Sequence, residues 1–250
     1  MKLFLRIFLF LIFTIFFLSP SFSQIDSIYK LQLSQNVIRN YITSLQTESP
    51  LFNGKIHQPF QYPIIGSDHI YFISSSPNKG SIVYEGILYE NVDLLYDLVK
   101  QELVMQNYKD IDKNIILDKS RVEAFSLLNH HFIKLQNNSF NGEPKANEYY
   151  NLQYNGNIKF LTRRIKSIIE PSTPGSLAYR KIKSTINHYI FKDSIYHPVT
   201  SKKSLLKILK ENNNENKKYL KDNDLNFNKD TESSILGLVQ LYDKQIATRK

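Results

Sequence analysis

The stretch Gly80–Gln106, GSIVYEGILYENVDLLYDLVKQELVMQ, decides the fold. It is apolar, rich in tyrosine and punctuated by two glycines. An extended chain would place four of its apolar side chains on one face: Val92, Leu94, Tyr96 and Leu98. A helix is the competing interpretation because the spacing also fits one helical face, but the tyrosines, valines and glycines favour strands. We predict a strand over Val92–Val99, a tight turn at Lys100–Gln101 and a strand over Glu102–Gln106.

Two acidic residues of the same stretch lie on the other side of the predicted strand. Asp93 and Asp97 are four residues apart, which places them about 13 Å apart on an extended chain. Glycosidase carboxylates are separated by about 5–9.5 Å, so this spacing does not predict that chemistry. We interpret both residues as the wet face of a half-buried sheet.

Alternation of apolar and polar residues continues on both sides of this stretch. HIYFISS (69–75) and SIVYEG (81–86) predict strands, and SPNKG (76–80) between them predicts a turn. Hairpin turns are predicted at three dipeptides: Asn129-His130, Asn155-Gly156 and Asp193-Ser194. The result is an antiparallel meander of about nine strands. Two longer loops, Gln136–Asn147 and Glu170–Ser184, interrupt it.

Helical patterns lie at both ends of the chain. Ile25–Leu45 carries part of a helical stripe, and the segments after Thr200 predict C-terminal helices, one of them capped by Asp230. We therefore predict an α+β fold, a curved antiparallel β-meander with an N-terminal helix and C-terminal helices packed on it. Residues 1–23 are predicted as a signal peptide and 24–250 as a single domain. The domain comprises a helix and turn-rich segment (24–68), the antiparallel sheet (69–199) and a helical tail (200–250).

The first residues carry the pattern of a secretory signal peptide. Lys2 and Arg6 precede the uninterrupted apolar run Ile7–Leu18, and small residues precede a predicted cleavage before Gln24. A membrane anchor is the alternative, but the run is shorter than the roughly 20 residues that span a bilayer. We predict an exported protein, periplasmic or secreted, that is not transmembrane after cleavage. With no cysteine in the chain, disulfides are excluded.

Positive charge is concentrated in one part of the chain. The formal net charge is +9, and the segment Lys159–Lys183 contains a single acidic residue, Glu170, among many basic ones. The predicted ligand or partner surface consists of Lys159, Arg163, Arg164 and Lys166. An exported protein rarely meets nucleic acid, so we expect no nucleic-acid partner; an envelope protein, an acidic lipid headgroup or an acidic glycan fits better. The alternative is a solvated strand face.

Aromatic residues suggest a second kind of site. Phenylalanine and tyrosine each occur 16 times, and tryptophan is absent. A curved sheet covered by helices can enclose an apolar cleft, as in the half-open barrels of exported lipid carriers. The residues predicted to line such a cleft are Tyr84, Tyr89, Tyr96 and Phe125. The alternative is that they fill the core.

No recognisable motif predicts catalysis or metal binding. No two of the six histidines have the helical zinc-binding spacing with a carboxylate. On strands, His130 and His131 point to opposite faces, whereas His188 and His197 can face each other across a hairpin. The nucleophile elbow, the phosphate-binding loop and the dinucleotide glycine pattern are absent from the sequence. We therefore assign no catalytic residue, no metal and no cofactor.

The order of several segments along the chain resembles that of a known protein family. LFNGKIHQPF, GSDHIYF, the Gly80–Gln106 stretch, FSLLNHHFIKL and the lysine-rich tail follow one another in this order. The chain resembles, over nearly the whole mature sequence, a family of uncharacterised exported bacterial proteins. Members of that family share an Asn-Gly turn, a Gly-x-x-Val-Tyr-x-Gly core with a later Tyr-Asp, and a lysine-rich helical tail. Asn53-Gly54, Tyr96 and Asp97 match this pattern. The resemblance implies an exported single-domain protein and lends no activity.

Three functional hypotheses remain open at this point. The first is a non-enzymatic exported protein that binds a partner or envelope component through the basic region or the long loops. The second is a periplasmic carrier of a lipid or other apolar ligand in a half-open barrel. The third is a hydrolase without a recognisable motif. Whether the protein is an enzyme is therefore uncertain, and the first hypothesis is favoured.

Overall fold

Eleven strands form one sheet within the part of the chain that the computed structural model describes. The described residues are 50–66, 68–107, 113–135, 144–170, 180–209 and 213–248. All of them belong to the unit Thr47–Lys250. The predicted signal peptide (1–23) and N-terminal helix (25–45) lie outside the described residues.

The strands are short at one edge of the sheet and long near the other. Their bounds are β1 Lys55–Ile56, β2 Asn78–Tyr84, β3 Ile87–Asp97, β4 Glu102–Gln106, β5 Asn114–Ile116, β6 Val122–Leu127, β7 His130–Lys134, β8 Tyr149–Asn155, β9 Lys159–Ile169, β10 Lys181–Lys192 and β11 Ile195–Val199. A 3-10 turn, Pro50–Phe52, precedes them. Three helices follow: α1 Lys202–Leu209, α2 Asn213–Asp222 and α3 Thr231–Thr248. This arrangement confirms the predicted α+β class, with an antiparallel sheet and C-terminal helices.

The strand order is β1-β5-β4-β3-β2-β6-β7-β8-β9-β10-β11. Two antiparallel meanders, β2–β5 and β6–β11, therefore run in opposite directions from a junction where β2 pairs with β6. Glycine is required at this junction, because a Cβ at Gly80 would collide with the backbone oxygen of Ser126. The short strands β1 and β5 pair with each other at one edge and were not expected from the sequence.

The Gly80–Gln106 stretch forms strands, as predicted. Its first hairpin closes through Glu85 and Gly86, both with positive φ, which suits a two-residue turn between twisted strands. Asp97 pairs with Glu102, so the second turn comprises residues 98–101 and is longer than the predicted dipeptide. Both faces of the end of β3 are buried.

Four local predictions are corrected. Residues 69–75 form no regular strand and contribute only the bridge between Tyr71 and Asp97. Strand β2 begins at Asn78, inside the predicted SPNKG turn. The β6–β7 turn lies at Leu128–Asn129, one residue earlier than predicted, because both residues adopt positive φ. Strand β10 begins at Lys181 and so takes residues from the predicted loop Glu170–Ser184. Most of the other predicted loop, residues 136–143, lies outside the described residues.

The sheet bends strongly enough to bring distant strands together. β3 and β9 are five positions apart in the strand order, which would separate them by about 24 Å in a flat sheet. Yet the amide of Lys166 in β9 donates to the carbonyl of Leu98, just after β3, at 2.9 Å. The Gln101 side chain also donates to the carbonyl of Arg164, at 3.2 Å. The β3–β4 turn therefore docks on the half of β9 that extends beyond β8.

Several buried clusters hold the fold together. One lies between the sheet and the helices and includes Phe160, Ile190, Leu205 and Leu238. Another is an aromatic cluster in which Tyr96, Phe125, Phe132 and Tyr149 pack mostly edge to face, with ring centroids 4.6–5.8 Å apart. Aromatic pairs in these geometries gain energy beyond the area they bury.

Candidate functional site

A groove lies between the edge formed by β10 and β11 and the segment that enters helix α3. Its cavity volume is about 880 Å³, and residues 186–189, 198–202 and 227–233 line it. Ligand pockets commonly enclose about 300–1,000 Å³. We refer to this cavity as the α3 groove and treat it as the candidate site.

A row of aligned side chains crosses the sheet to the α3 groove, where His188 and Val199 belong to its lining. Strand register aligns one residue from each of five strands, β7 to β11: Phe132, Asn151, Thr162, His188 and Val199. Residues directly opposite each other on paired strands point to the same face. The meander therefore brings Asn151, Thr162 and His188 to the helix-covered side of the sheet.

Glu232, in the first turn of α3, connects this row to the helix. Its carboxylate accepts two hydrogen bonds from Nη2 of Arg164, at 2.7 and 2.5 Å, and one from Nε2 of Gln153, at 2.5 Å. The same Gln153 amide lies 3.1 Å from Oγ1 of Thr162. A carboxylate at a helix N-terminus is also favoured by the helix dipole. This network fixes the start of α3 over the sheet.

Two histidines lie beside this ion pair. Nδ1 of His188 is 3.2 Å from Oγ1 of Thr162, and Nδ1 of His130 accepts from the Asn151 amide at 2.7 Å. Burial lowers the pKa of His188, with the opposing attraction of Glu232 second in size and the repulsion of Arg164 third. Burial and then Arg164 lower the pKa of His130. Both rings are therefore neutral at pH 7, and His188 presents an uncharged polar group to the groove.

A second polar cluster lies at the β3–β4 turn. Asp97 is fully buried and its Oδ1 accepts from the amides of Val99, at 2.7 Å, and Lys100, at 2.9 Å. Nearby, Nζ of Lys166 donates to the carbonyls of His69, at 2.6 Å, and Tyr71, at 2.9 Å. The expectation that Asp97 faces solvent is wrong, because it shapes the turn that docks on β9. Asp93 is partly exposed and pairs with Lys79.

The side chains of the four residues of the predicted basic surface have interaction partners within the fold. Arg163 is 7% exposed and pairs with Glu148 at 3.2 Å. Arg164 pairs with Glu232, Lys166 binds two carbonyls, and Lys159 lies over the ring of Phe191 at 5.7 Å. Arg163 and Arg164 are neighbours on β9 and therefore point to opposite faces of the sheet, where each pairs with a glutamate from outside β9. The exposed lysines of the same region are Lys181 and Lys183, on β10.

The four residues of the predicted apolar cleft are core residues. Tyr84, Tyr89, Tyr96 and Phe125 are between 1% and 5% exposed. Tyr96 donates to Oε1 of Gln101 at 3.0 Å and packs on Phe125 at 5.3 Å between ring centroids. These side chains fill the interior of the sheet. This corrects the prediction that they line a ligand-binding cleft.

Sequence patterns did not single out Glu232 or Thr162 for the candidate site. Glu232 carries one available signal, a carboxylate in the first turn after the predicted cap at Asp230. Its partners, Arg164 and Gln153, lie 68 and 79 residues earlier in the chain, so no local pattern connects them. His188 and His197 do lie on one hairpin, as predicted. They are not direct partners, because His188 pairs with Val199 and His197 with Ile190.

No cluster of three or more histidine, aspartate or glutamate side chains suited to holding a metal occurs in the described part of the chain. Among the same residues, no helix is both long and apolar enough to cross a membrane.

The chain matches no protein-family model, no curated protein and no solved structure. The resemblance to exported bacterial proteins therefore stays a prediction, and functional inference rests on the geometry of the α3 groove.

Proposed function

We propose that this is an exported binding protein that holds a polar ligand in the α3 groove. The observation that carries the proposal is the groove of about 880 Å³, which is lined by His188 and by Glu232, the partner of Arg164. Its lining is mainly polar, and Lys202, Lys229 and Asp230 contribute charged groups. Export is supported by the signal-like sequence of residues 1–23, and an envelope component is the expected class of partner.

The chemistry of the groove favours binding over catalysis. Both carboxylate oxygens of Glu232 are taken by Arg164 and Gln153, so Glu232 is poorly placed to act as a general base. Thr162 is only 1% exposed, so its hydroxyl is not open to a substrate. A general base must reach the proton that it abstracts, whereas a binding site needs only fixed polar groups.

Native mass spectrometry of protein purified gently from its own envelope fraction tests this proposal. We expect an additional mass that disappears on denaturation. A Ser233→Trp variant, which places a bulky side chain in the groove, should lose that mass. Gln240→Trp is the matched control, since it adds the same side chain at an exposed position two turns further along α3. Both variants should keep the free energy of unfolding within about 0.5 kcal/mol of the unmodified protein.

Two outcomes would contradict the proposal. One is a protein without any bound mass, and the other is a bound mass that Ser233→Trp retains. A bound apolar mass that survives Ser233→Trp would support the carrier alternative instead.

A further inference from the structure

Among the described residues, only those at the two ends of the outer edge of β10 have backbone partners there. β11 pairs with residues 188–192 at one end. At the other end, the amide of Arg180 donates to the carbonyl of Pro63 at 3.0 Å, and the carbonyl of Arg180 accepts from the amide of Ile65 at 2.9 Å. Within the described part of the chain, the segment between these two pairings has one strand beside it, β9 on its inner side.

The alternation of the backbone shows which N–H and C=O groups of β10 point to the outer edge. In an antiparallel ladder, successive residues direct their N–H and C=O groups to opposite edges. Because Arg180 and His188 use the outer edge, Ile182, Ser184 and Ile186 direct their groups to that edge as well. None of these three has a backbone partner on that side among the described residues. Ser184 is exposed, and the side chain of Ile186 is 49% exposed.

The open edge is continuous with the α3 groove. Ile186 belongs to both, and β11 leaves the sheet at the point where the open edge begins. Ser184 and Ile186 share a face with Lys166 and Arg164, which is the face that the groove occupies. An added strand would therefore direct alternate side chains to the groove side. Its remaining side chains would lie beside Lys181 and Lys183 on the opposite face.

We propose that an extended acidic peptide segment binds here as an added strand, antiparallel to β10 and in line with β11. The proposal rests on the proposed binding function and names its ligand class. Main-chain hydrogen bonds to Ile182, Ser184 and Ile186 supply affinity, as in other cases of strand addition to a sheet edge. Exposed Lys181 and Lys183 favour acidic residues at the positions opposite them.

The ends of the open edge argue against a second copy of this chain. The distance from Arg180 to His188 is about 27 Å at about 3.4 Å per residue, and chain already paired with β10 occupies both ends. β10 has 12 residues, which would extend about 40 Å and collide with the segment at residues 63–65 or with β11. A flexible segment can enter and leave this opening, whereas a long strand held in a folded sheet cannot.

The test compares Ser184→Pro with Ser184→Ala. Proline removes the outward N–H of residue 184 and leaves the ladder to β9 intact, since proline is tolerated at a strand edge. Alanine removes only the hydroxyl. The probe is a fluorescent heptapeptide with blocked ends, Thr-Val-Thr-Val-Glu-Val-Glu, whose glutamates pair opposite Lys183 and Lys181. Its charge-reversed counterpart carries lysines at those two positions. Binding is followed by fluorescence anisotropy, and circular dichroism verifies the fold of both variants.

We expect the acidic probe to bind the unmodified protein and Ser184→Ala equally. Ser184→Pro should weaken binding about tenfold or more, because one hydrogen bond is lost and a probe carbonyl stays unpaired. The charge-reversed probe should bind more weakly, with the difference shrinking at high salt. Equal binding by the two variants, or no binding of the acidic probe, would overturn the proposal. The proposal would also be overturned if sedimentation showed that the unmodified protein is a dimer and that Ser184→Pro dissociates it.

This result is separable from the proposed function. If Ser233→Trp removes the native ligand and Ser184→Pro retains it, the groove binds a ligand without strand addition, and only the present inference fails. If neither variant affects a bound mass, the proposed function itself fails.

Discussion

At the scale of single residues, Gly156 shows a requirement that comes from a distant contact. The Asn155-Gly156 dipeptide predicted a hairpin with positive φ at its turn. The hairpin forms, but Gly156 is not among the residues with positive φ. A Cβ at this position would instead collide with Oδ2 of Asp243 and lie 2.7 Å from the hydroxyl of Tyr154. That carboxylate also accepts from Tyr154 at 3.0 Å and from the amide of Asn157 at 2.7 Å.

Gly156→Ala should therefore destabilise the protein by about 1–3 kcal/mol, because overpacking displaces the Asp243 carboxylate from its partners. Urea unfolding measures the change. In an Asp243→Ala background, the same substitution should cost clearly less, since the colliding group is gone. Equal costs in the two backgrounds would show that the contact with Asp243 does not explain the glycine.

The Glu232–Arg164 pair carries a second prediction at this scale. Glu232→Gln should cost about 1–3 kcal/mol in free energy of unfolding, because it leaves the charge of a mostly buried Arg164 without its counter-ion. The matched control is Glu85→Gln. Glu85 and its partner Arg121 are both exposed, at 44% and 45%, so that variant should cost less than about 1 kcal/mol. Similar losses in both variants would show that the Glu232 pair is no more important than a surface ion pair.

At the scale of elements, turns could be predicted where their residues favour positive φ, whereas contacts between distant parts of the chain could not. Asp193 and Ser194 both have positive φ and close the β10–β11 hairpin at the predicted position. Leu128 also adopts positive φ, which local preference disfavours, so the β6–β7 turn was predicted one residue too late. A leucine accepts this conformation when the pairing on both strands determines it.

In the candidate site, too, the local turn could be predicted and the long-range contacts could not. The hairpin that contains His188 was predicted from the sequence. Its neighbours were not, since Gln153, Arg164 and Glu232 come together only when α3 folds back on the sheet. The ion pairs of Arg163 and Arg164 were missed as well, because their acidic partners are distant in sequence or lie on another element. Charge clustering alone therefore predicted a surface where the fold has internal ion pairs.

The β3–β4 turn provides a prediction at the element scale. Gln101 has positive φ, accepts from Tyr96 and donates to Leu98 and Arg164. Gln101→Ala should cost about 2–3 kcal/mol because it leaves the buried hydroxyl of Tyr96 and the carbonyl of Arg164 without the Gln101 side chain, their hydrogen-bond partner. Lys100→Ala, at an exposed position of the same turn, should change the free energy of unfolding by less than about 0.5 kcal/mol. A small effect of Gln101→Ala would contradict the docking of this turn on β9.

At the scale of the whole molecule, the stability of the fold should depend on pH through its buried histidines. Burial is the largest cause that lowers the pKa of His57, His130 and His188. The unfolded chain therefore binds protons more readily than the folded protein once the pH falls below about 6.5. The contribution of these groups is fully present above that pH. It is lost progressively as the pH falls from about 6.5 toward their lower folded pKa values.

His188→Gln should remove part of this dependence. Urea unfolding at pH 7.5 and at pH 5.0 should show a smaller loss of stability in the variant than in the unmodified protein. Glu232 raises the pKa of His188 and Arg164 lowers it, so both must be kept in place for the comparison. If the variant loses as much stability as the unmodified protein, His188 does not contribute to the pH dependence.

In our proposal, the open edge of β10 and the α3 groove form one binding site. The most direct measurement is residue-resolved amide hydrogen exchange by NMR, with and without the acidic heptapeptide. In the free protein, the amides of Ile182, Ser184 and Ile186 should exchange fast, while those of Lys183 and Thr185, which face β9, exchange slowly. The peptide should slow the first three and shift the resonances of residues 227–233 in the groove. Protection of Ser184 in the free protein, or an unchanged pattern with the peptide, would contradict the account.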